Sequence, residues 1–504
     1  MNSLPGSERS AGSHGLSVLY LPKANRSDYF RRFLMHGKRK FGWRIVVPCQ
    51  AAHRAGFVDI AADGGRCIDL PDFSLRQAWE QDAEAVAALD ARIAECERFN
   101  EVPANRLLLS GSRNVGRGYS IDRHVMPNSR LARHALSDNM AGANVIRRMF
   151  RFAFDMLEET KPDLIIAGEW TTPVYYATVM IARTRGIKCL ANRNSKIISG
   201  NFFWTSDLMM FNERSRHAAR NLAQSGAAVS AQAQEAIASF RNKPETLGFV
   251  GQKWVKREGR GIKGFNLPYL RTFASQLRAQ LRGVPHTQPD PALGMLLNQY
   301  RAAFMKRLHQ RYFRSYGEDE LKAKRFVYFP LHKEGEVALT FQAPPWYDQA
   351  NTIRQLSISL PLGYKLLVRE HRANHGSRSS RWYRYVSRLP NVVLVSSFDS
   401  QFMFLRHAAL VVTENGTSGW EALLLGKPVI TLAESHYDGT ALSRYVGDPA
   451  DLPAAMLELL SQSTIRDKAM HDRRICWQID AEREHSFSGE VADIPQAFAY
   501  LERY

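Results

Sequence analysis

The sequence predicts an α/β protein of two Rossmann-like domains facing a central cleft, with a helical linker between them and a helical C-terminal tail. Three observations predict it. Short apolar, β-branched runs alternate with helical stretches twice, from Leu16 to Phe211 and again from Arg325 to Leu432. Residues 215–325 between them lack strand signals and carry the breakers Pro268, Pro285, Pro289 and Pro291. The 504 residues exceed one ordinary core and suit two or three domains.

Taken in order, residues 1–14 are Ser/Gly-rich and expected to be disordered. Strands are expected at Ser17–Leu21, Arg44–Pro48, Arg106–Ser110, Asp163–Ala167, Lys188–Ala191 and Leu208–Phe211, with helices over Leu131–Glu159 and Tyr175–Arg185. In the second half, strands are expected at Arg325–Pro330, Tyr364–Arg369, Val392–Val395, Leu410–Thr413 and Val429–Leu432. Helices are expected at Tyr347–Leu360, Arg381–Arg388 and Ser400–His407, and His375–Ser380 reads as a flexible polar loop. The domains are therefore expected at 15–250 and 325–460, with a basic helical insertion at 251–324 and a tail at 461–504.

Composition narrows the classes. Hydrophobic content of 45% with 23% charged residues is that of a soluble globular chain. Five scattered cysteines without CxxC spacing fit a reducing compartment. No secretory h-region and no run of 18 apolar residues is present, so a cytoplasmic protein is expected. The net charge of +19 concentrates between Lys253 and Arg314, which carry 13 Lys/Arg against Glu258 and Asp290. Such a stripe suits a polyanion, but no nucleic-acid motif accompanies it. Leu270, Phe273, Leu277 and Leu281, and then Tyr300, Phe304, Leu308 and Tyr312, repeat at helical spacing among basic residues. Either they lie on the anionic inner face of the cell membrane, or they pack on their own domain with a solvated basic face.

Residues 410–432 contain strand, loop, helix and strand in succession. Glu414-Asn415-Gly416 breaks the first strand, and Gly426-Lys427-Pro428 stops the helix that begins at Thr417 or Ser418. A helix start after a Gly/Thr/Ser loop presents amides and a positive dipole end to a phosphate. Ser418 to Glu421 fits a capping box equally well. Two further loops end strands on the same side of the sheet. The first holds His332 and Glu336, and the second holds Arg369, His371 and Arg372. Together the three loops make a donor-rich pocket for a nucleotide phosphate. Singly, each histidine is as well read as a structural partner, and Arg369 as a surface partner of Glu370 or Glu336.

In the first half, Glu169 follows a strand, as a general base or as a helix cap. Asn192 to Lys196 reads as an anion-binding cluster or a polar surface turn. A Walker A loop, a GxGxxG after the first strand, HExxH and Cys/His clusters are all lacking, which disfavours ATP hydrolysis, dinucleotide chemistry and a metal.

Phe326 to Glu336, Gly363 to His371 and Thr413 to Ile430 resemble, in order and spacing, the bacterial capsule polysaccharide biosynthesis family, and Pro162 to Glu169 does so more weakly. The chain departs from that family at His371-Arg372, where His-Pro is usual, and at Gly335-Glu336, where Pro-Glu is usual. That family is similar to GT-B glycosyltransferases, including those that use CMP-activated Kdo. The resemblance implies a GT-B-like fold, a donor nucleotide in the second domain, an acceptor in the first, and neither metal nor cofactor. It further implies that Arg369 and His371 contact donor phosphate, and that Asn415, Gly416, Thr417, Ser418 and Gly419 form its cradle. Glu421 would lie near the ribose, His332 and Glu336 would line the cleft, and Glu169 and His332 are the catalytic candidates. The expected activity is transfer of a sugar from a CMP-Kdo-like or UDP-linked donor to a surface polysaccharide or its lipid-linked primer. A nucleotide-sugar epimerase and a non-catalytic glycan- or membrane-binding protein are the alternatives; nucleic acid is not an expected partner.

Overall fold

A computed structural model describes residues 15–22, 27–49, 56–71, 73, 82–111, 139–244, 274, 277–278, 304–334, 336–375, 378–461 and 467–504. The expectations for residues 1–14, for 131–138 and for most of 253–303 lie outside these. The chain divides into two compact units. The first takes in residues up to 112, residues 138–215 and residues 482–504; the second takes in 216–481.

The first unit holds a seven-stranded sheet. Its strands are β1 (Ser17–Leu21), β2 (Arg44–Cys49), β3 (Arg66–Asp69), β4 (Leu164–Ala167), β5 (Lys188–Asn194), β6 (Asn201–Thr205) and, from the C-terminal end, β13 (Phe487–Ser488). Their order is β13-β6-β5-β4-β1-β2-β3, with β6 antiparallel to both neighbours and the rest parallel. The second unit holds β7 (Phe326–Pro330), β8 (Lys365–Arg369), β9 (Val392–Val395), β10 (Leu410–Thr413), β11 (Val429–Thr431) and β12 (Arg444–Tyr445). This sheet is wholly parallel, in the order β12-β11-β10-β7-β8-β9. Parallel strands need crossovers on both faces, so their side chains are buried on both sides. Residues Phe326 to Phe329 and Leu410 to Thr413 are accordingly all buried. In each sheet the winding reverses beside the first strand, between β1 and β4 and between β7 and β10. The α/β architecture of two Rossmann-like units is therefore present.

Two expected strands differ. Arg106–Gly111 is a helix, not a strand, because its leucines carry no β-branch and favour helix. Leu208–Phe211 is a turn. The Asp207 carboxylate accepts from the amides of Met209 (3.2 Å) and Phe211 (2.8 Å), and Met210 adopts φ 62°. The strand lies instead at β6, paired with β5 as a hairpin.

The unit boundary falls at 215/216, not near 250. The helix Ala231–Asn242 is fastened within the second unit. Ser230 bonds Asp480 through its amide (3.0 Å), and Arg241 grips Asp472 bidentately at 2.8 and 2.6 Å. Nor is the tail from 461 a separate element. After the helix Lys468–Glu484, the chain re-enters the first unit through β13 and the helix Ile494–Leu501. The Trp204 indole donates to the Ala497 carbonyl (2.9 Å), and the Phe498 ring stacks on Phe33 with centroids 4.3 Å apart. Among the described residues no helix is long and apolar enough to cross a membrane.

Phe498 is 2% exposed at the meeting of Phe33, Phe41 and Trp43. Phe498→Ala is expected to destabilise the first unit by about 3–5 kcal/mol, as large-to-small core changes do. Urea unfolding followed by Trp43 and Trp204 fluorescence measures it.

Candidate functional site

The carboxyl ends of β7, β8 and β10 lie side by side, and ligands of open α/β sheets bind outside the strand ends where the winding reverses. His332 leaves β7 at that point with its peptide held on both sides. Its amide donates to Gln349 Oε1 (2.9 Å), and its carbonyl accepts from Gln349 Nε2 (3.2 Å) and Asn374 Nδ2 (3.1 Å). The imidazole is fixed in turn. Nε2 lies 3.2 Å from a Glu414 carboxylate oxygen, and Nδ1 lies 3.9 Å from one of Glu336. Glu414 is fully buried. Burial pushes its carboxyl above the ordinary value, and the adjacent His332 pulls the other way. The His371 imidazole is lowered by burial, with Glu336 and Glu370 opposing that shift. The loops after β7, β8 and β10 thus converge as expected.

Gly416 is the N-cap of the helix Thr417–Leu424, with its amide donated to Thr413 Oγ1 (3.2 Å). A Cβ on Gly416 would lie 3.0 Å from His332 Cε1 and Nε2, so glycine leaves the imidazole its place. The capping box expected of Ser418 and Glu421 does not form. The cap falls two residues earlier, no side chain caps the helix, and Ser418 sits within the first turn. Glu421 is fully buried and accepts from Gln401 Nε2 (2.8 Å). Gly419 serves packing, since a Cβ there would meet the Tyr437 hydroxyl at 2.0 Å. Asn415 is buried and donates to Gln342 Oε1 (2.9 Å). The amides of Thr417 and Ser418 precede the first intrahelical acceptors, and both residues are partly exposed.

Arg369 pairs with neither Glu370 nor Glu336. Its Nη2 donates to the carbonyls of Ser397 (2.9 Å) and Asp399 (3.1 Å), and Arg372 Nε joins it on Ser397 (2.9 Å). These guanidinium groups bind the loop after β9 to the end of β8.

Sequence reasoning missed the group behind these loops. Arg378, in the stretch read as flexible and polar, is 1% exposed. Its Nε donates to Glu370 (2.7 Å), its Nη1 to Glu334, and its guanidinium lies 4.2 Å from the Trp382 ring centroid. Burial opposes its charge, but Glu334 and Glu370 outweigh that and raise its pKa. Glu370 also accepts from the Tyr383 hydroxyl (2.9 Å) and the His371 amide (2.7 Å). The available signal was a carboxylate placed directly after a buried strand, as at Glu370 and Glu414.

In the first unit, Glu169 follows β4 and forms an ion pair with Arg193. Asn192 and Arg193 belong to buried β5, and the Ser195 hydroxyl accepts from the amides of Ile197 (3.1 Å) and Ile198 (3.0 Å). A polar surface turn is therefore not what this stretch forms. Among the described residues no group of three His, Cys, Asp or Glu could hold a metal ion.

Residues 286–449 match the model of the family described as capsule polysaccharide biosynthesis protein. The resemblance read from the sequence is shown over this segment. No curated protein matches the chain in sequence. Solved structures similar to it include a UDP-GlcNAc 2-epimerase from Neisseria meningitidis bound to UDP-GlcNAc, at 10% identity over 93% of this chain and 99% of that one, TM-score 0.27. The calicheamicin glycosyltransferase CalG4 is 13% identical over 97% and 99%, TM-score 0.28. The β-Kdo 2,7 transferase KpsC of Thermosulfurimonas dismutans is 11% identical over 71% and 95%, TM-score 0.28. At these scores none of the three bears on function.

Two outcomes follow from the site's buried charges. Arg378→Met is expected to cost about 3–5 kcal/mol in urea unfolding, because it strands two buried carboxylates. His375, 7% exposed, packs against Phe313 and Phe398. Burial pushes its imidazole from 6.5 down to about 4. The unfolded chain therefore takes up a proton there first as pH falls. Stability linked to His375 is full above about pH 6.5 and is lost toward pH 4, by up to about 3 kcal/mol. Urea midpoints against pH should slope less in His375→Asn.

Proposed function

We propose that this chain is a glycosyltransferase. It would move a sugar from a nucleotide donor, CMP- or UDP-linked, to a capsular or other surface polysaccharide or its lipid-linked primer. The family match over residues 286–449 supports the pathway. The observation that carries the chemistry is His332, whose ring lies against the Gly416 cap of the helix that begins at Thr417. Donor phosphate at the amides of Thr417 and Ser418 would gain from the helix dipole and lie within reach of the imidazole. As the glycosidic bond to the donor breaks, negative charge develops on the leaving phosphate, and fixed donors in a water-poor site stabilise it best. Glu414 lies behind the ring, with a carboxyl oxygen 3.2 Å from His332 Nε2. Glu336 lines the same loop. Glu169, held by Arg193 at the winding reversal of the first sheet, is the candidate base for the acceptor hydroxyl.

Thermal unfolding with CMP, UDP, GDP and their sugar conjugates is expected to show stabilisation by one nucleotide class; stabilisation by none removes the donor site. His332→Gln is expected to keep the fold and to lower turnover by about 10²–10⁴-fold, measured by nucleotide release. Conversion of the donor without acceptor would favour an epimerase instead. Turnover undiminished by a chelator is expected of a metal-free transfer.

A further inference from the structure

The second unit carries an exposed basic surface that the donor site does not use. Two chain segments make it, 304–317 and 371–398, and neither contains a single Asp or Glu. A chain of ring contacts joins them: His309 and Tyr312 to Tyr383, Phe313 to Tyr383 and His375, and His375 to Phe398. The guanidinium groups of Arg311 and Arg384, one from each segment, both reach the Tyr312 hydroxyl.

What this surface presents is patterned. Arg381, Arg384, Tyr385 and Arg388 stand at spacings of three and four along and just past the helix Ser380–Val386, so they share one side of it. All four are exposed. Phe304, Arg307 and Arg311 repeat the arrangement on the neighbouring segment and are likewise exposed. Phe304 is 66% exposed and Phe398 51%, and the Lys306 ammonium lies 4.7 Å from the Phe398 ring centroid. By contrast Leu308 and Tyr312, expected on one apolar face with Phe304, are half-buried. Arg314 turns aside to Glu320 (2.6 Å).

We infer that this face docks on an anionic lipid bilayer. Cations alone would suit any polyanion. Cations interleaved with outward-facing phenylalanines suit the headgroup boundary, where arginines meet lipid phosphates and rings enter the acyl edge. The inference does not depend on the donor-site reading, since none of Phe304, Arg307, Arg311, Arg381, Arg384 and Phe398, which carry it, is proposed to bind nucleotide.

Flotation of the full chain with phosphatidylcholine vesicles, with and without phosphatidylglycerol, tests it. The chain should float with the anionic vesicles alone and be released by salt. An Arg307→Gln, Arg311→Gln, Arg381→Gln, Arg384→Gln variant should lose about tenfold or more in partitioning. A Phe304→Ser, Phe398→Ser variant, with its charge unchanged, should lose binding measurably too. Should the fourfold variant fail to fold, Arg307→Gln and Arg381→Gln singly serve the same test. Nucleotide-induced thermal stabilisation should be the same in every variant, which separates failure here from failure of the donor site. No flotation of the unaltered chain, equal flotation with neutral vesicles, or equal flotation of the arginine variants would each overturn the inference. So would full binding by the phenylalanine variant together with retention on heparin, which would make this a surface for soluble polyanions.

Discussion

The second unit's site depends on one buried cation. Arg378 stands between Glu334, in the loop after β7, and Glu370, at the end of β8. Three charges in a dry interior are costly unless each is met, so the two loops hold the spacing the guanidinium sets. That spacing carries outward. Glu370 fixes the His371 amide with its other oxygen, and the Glu334 amide donates to Asn374 Oδ1 (3.3 Å). The Asn374 amide holds the His332 carbonyl. The positions of both histidines therefore follow from a residue that touches neither. Such a pair contributes little net stability compared with apolar packing; what it contributes here is geometry.

A second buried carboxyl lies directly against the ring. Glu414 comes from β10, on the far side of the winding reversal, and meets an imidazole that comes from β7. Two strands that are neighbours in the sheet but 80 residues apart in sequence are thus coupled through one side-chain contact. Gly416 keeps the space between them clear, and Thr413 supplies the turn that brings Glu414 inward. The helix start at Thr417 and the His332 imidazole meet because the parallel sheet ends all its strands on one side.

Much of this was legible in the sequence because parallel strands are buried on both faces and read as plain apolar runs. Every strand of the second sheet from β7 to β11 was readable in that way, as was the helix after Gly416. What was not legible had particular causes. The Leu-rich run at 106–110 fits helix and strand alike. β6 opens with Asn and holds aromatic residues without alternation, so its hairpin went unseen. β13 is two residues long and pairs with a strand far away in sequence. At the candidate site, the placing of His332, Glu336 and His371 in the loops after β7 and β8 was legible. Arg378 was not, because a polar stretch such as Gly376-Ser-Arg-Ser-Ser380 carries no sign that its arginine is buried. Ser418 and Glu421 had the spacing of a capping box, but the chain breaks into helix earlier, at Gly416.

The start of the helix Thr417–Leu424, beside His332, is proposed to receive the donor's phosphate. A crystal structure of the protein with the nucleotide that stabilises it tests this most directly. Phosphate oxygens are expected within hydrogen-bonding distance, about 2.7–3.2 Å, of the Thr417 or Ser418 amide, with an imidazole nitrogen of His332 turned to the same phosphate. A nucleotide bound with its phosphates away from this helix, or His332 still turned wholly to Glu414 and Glu336, would contradict it.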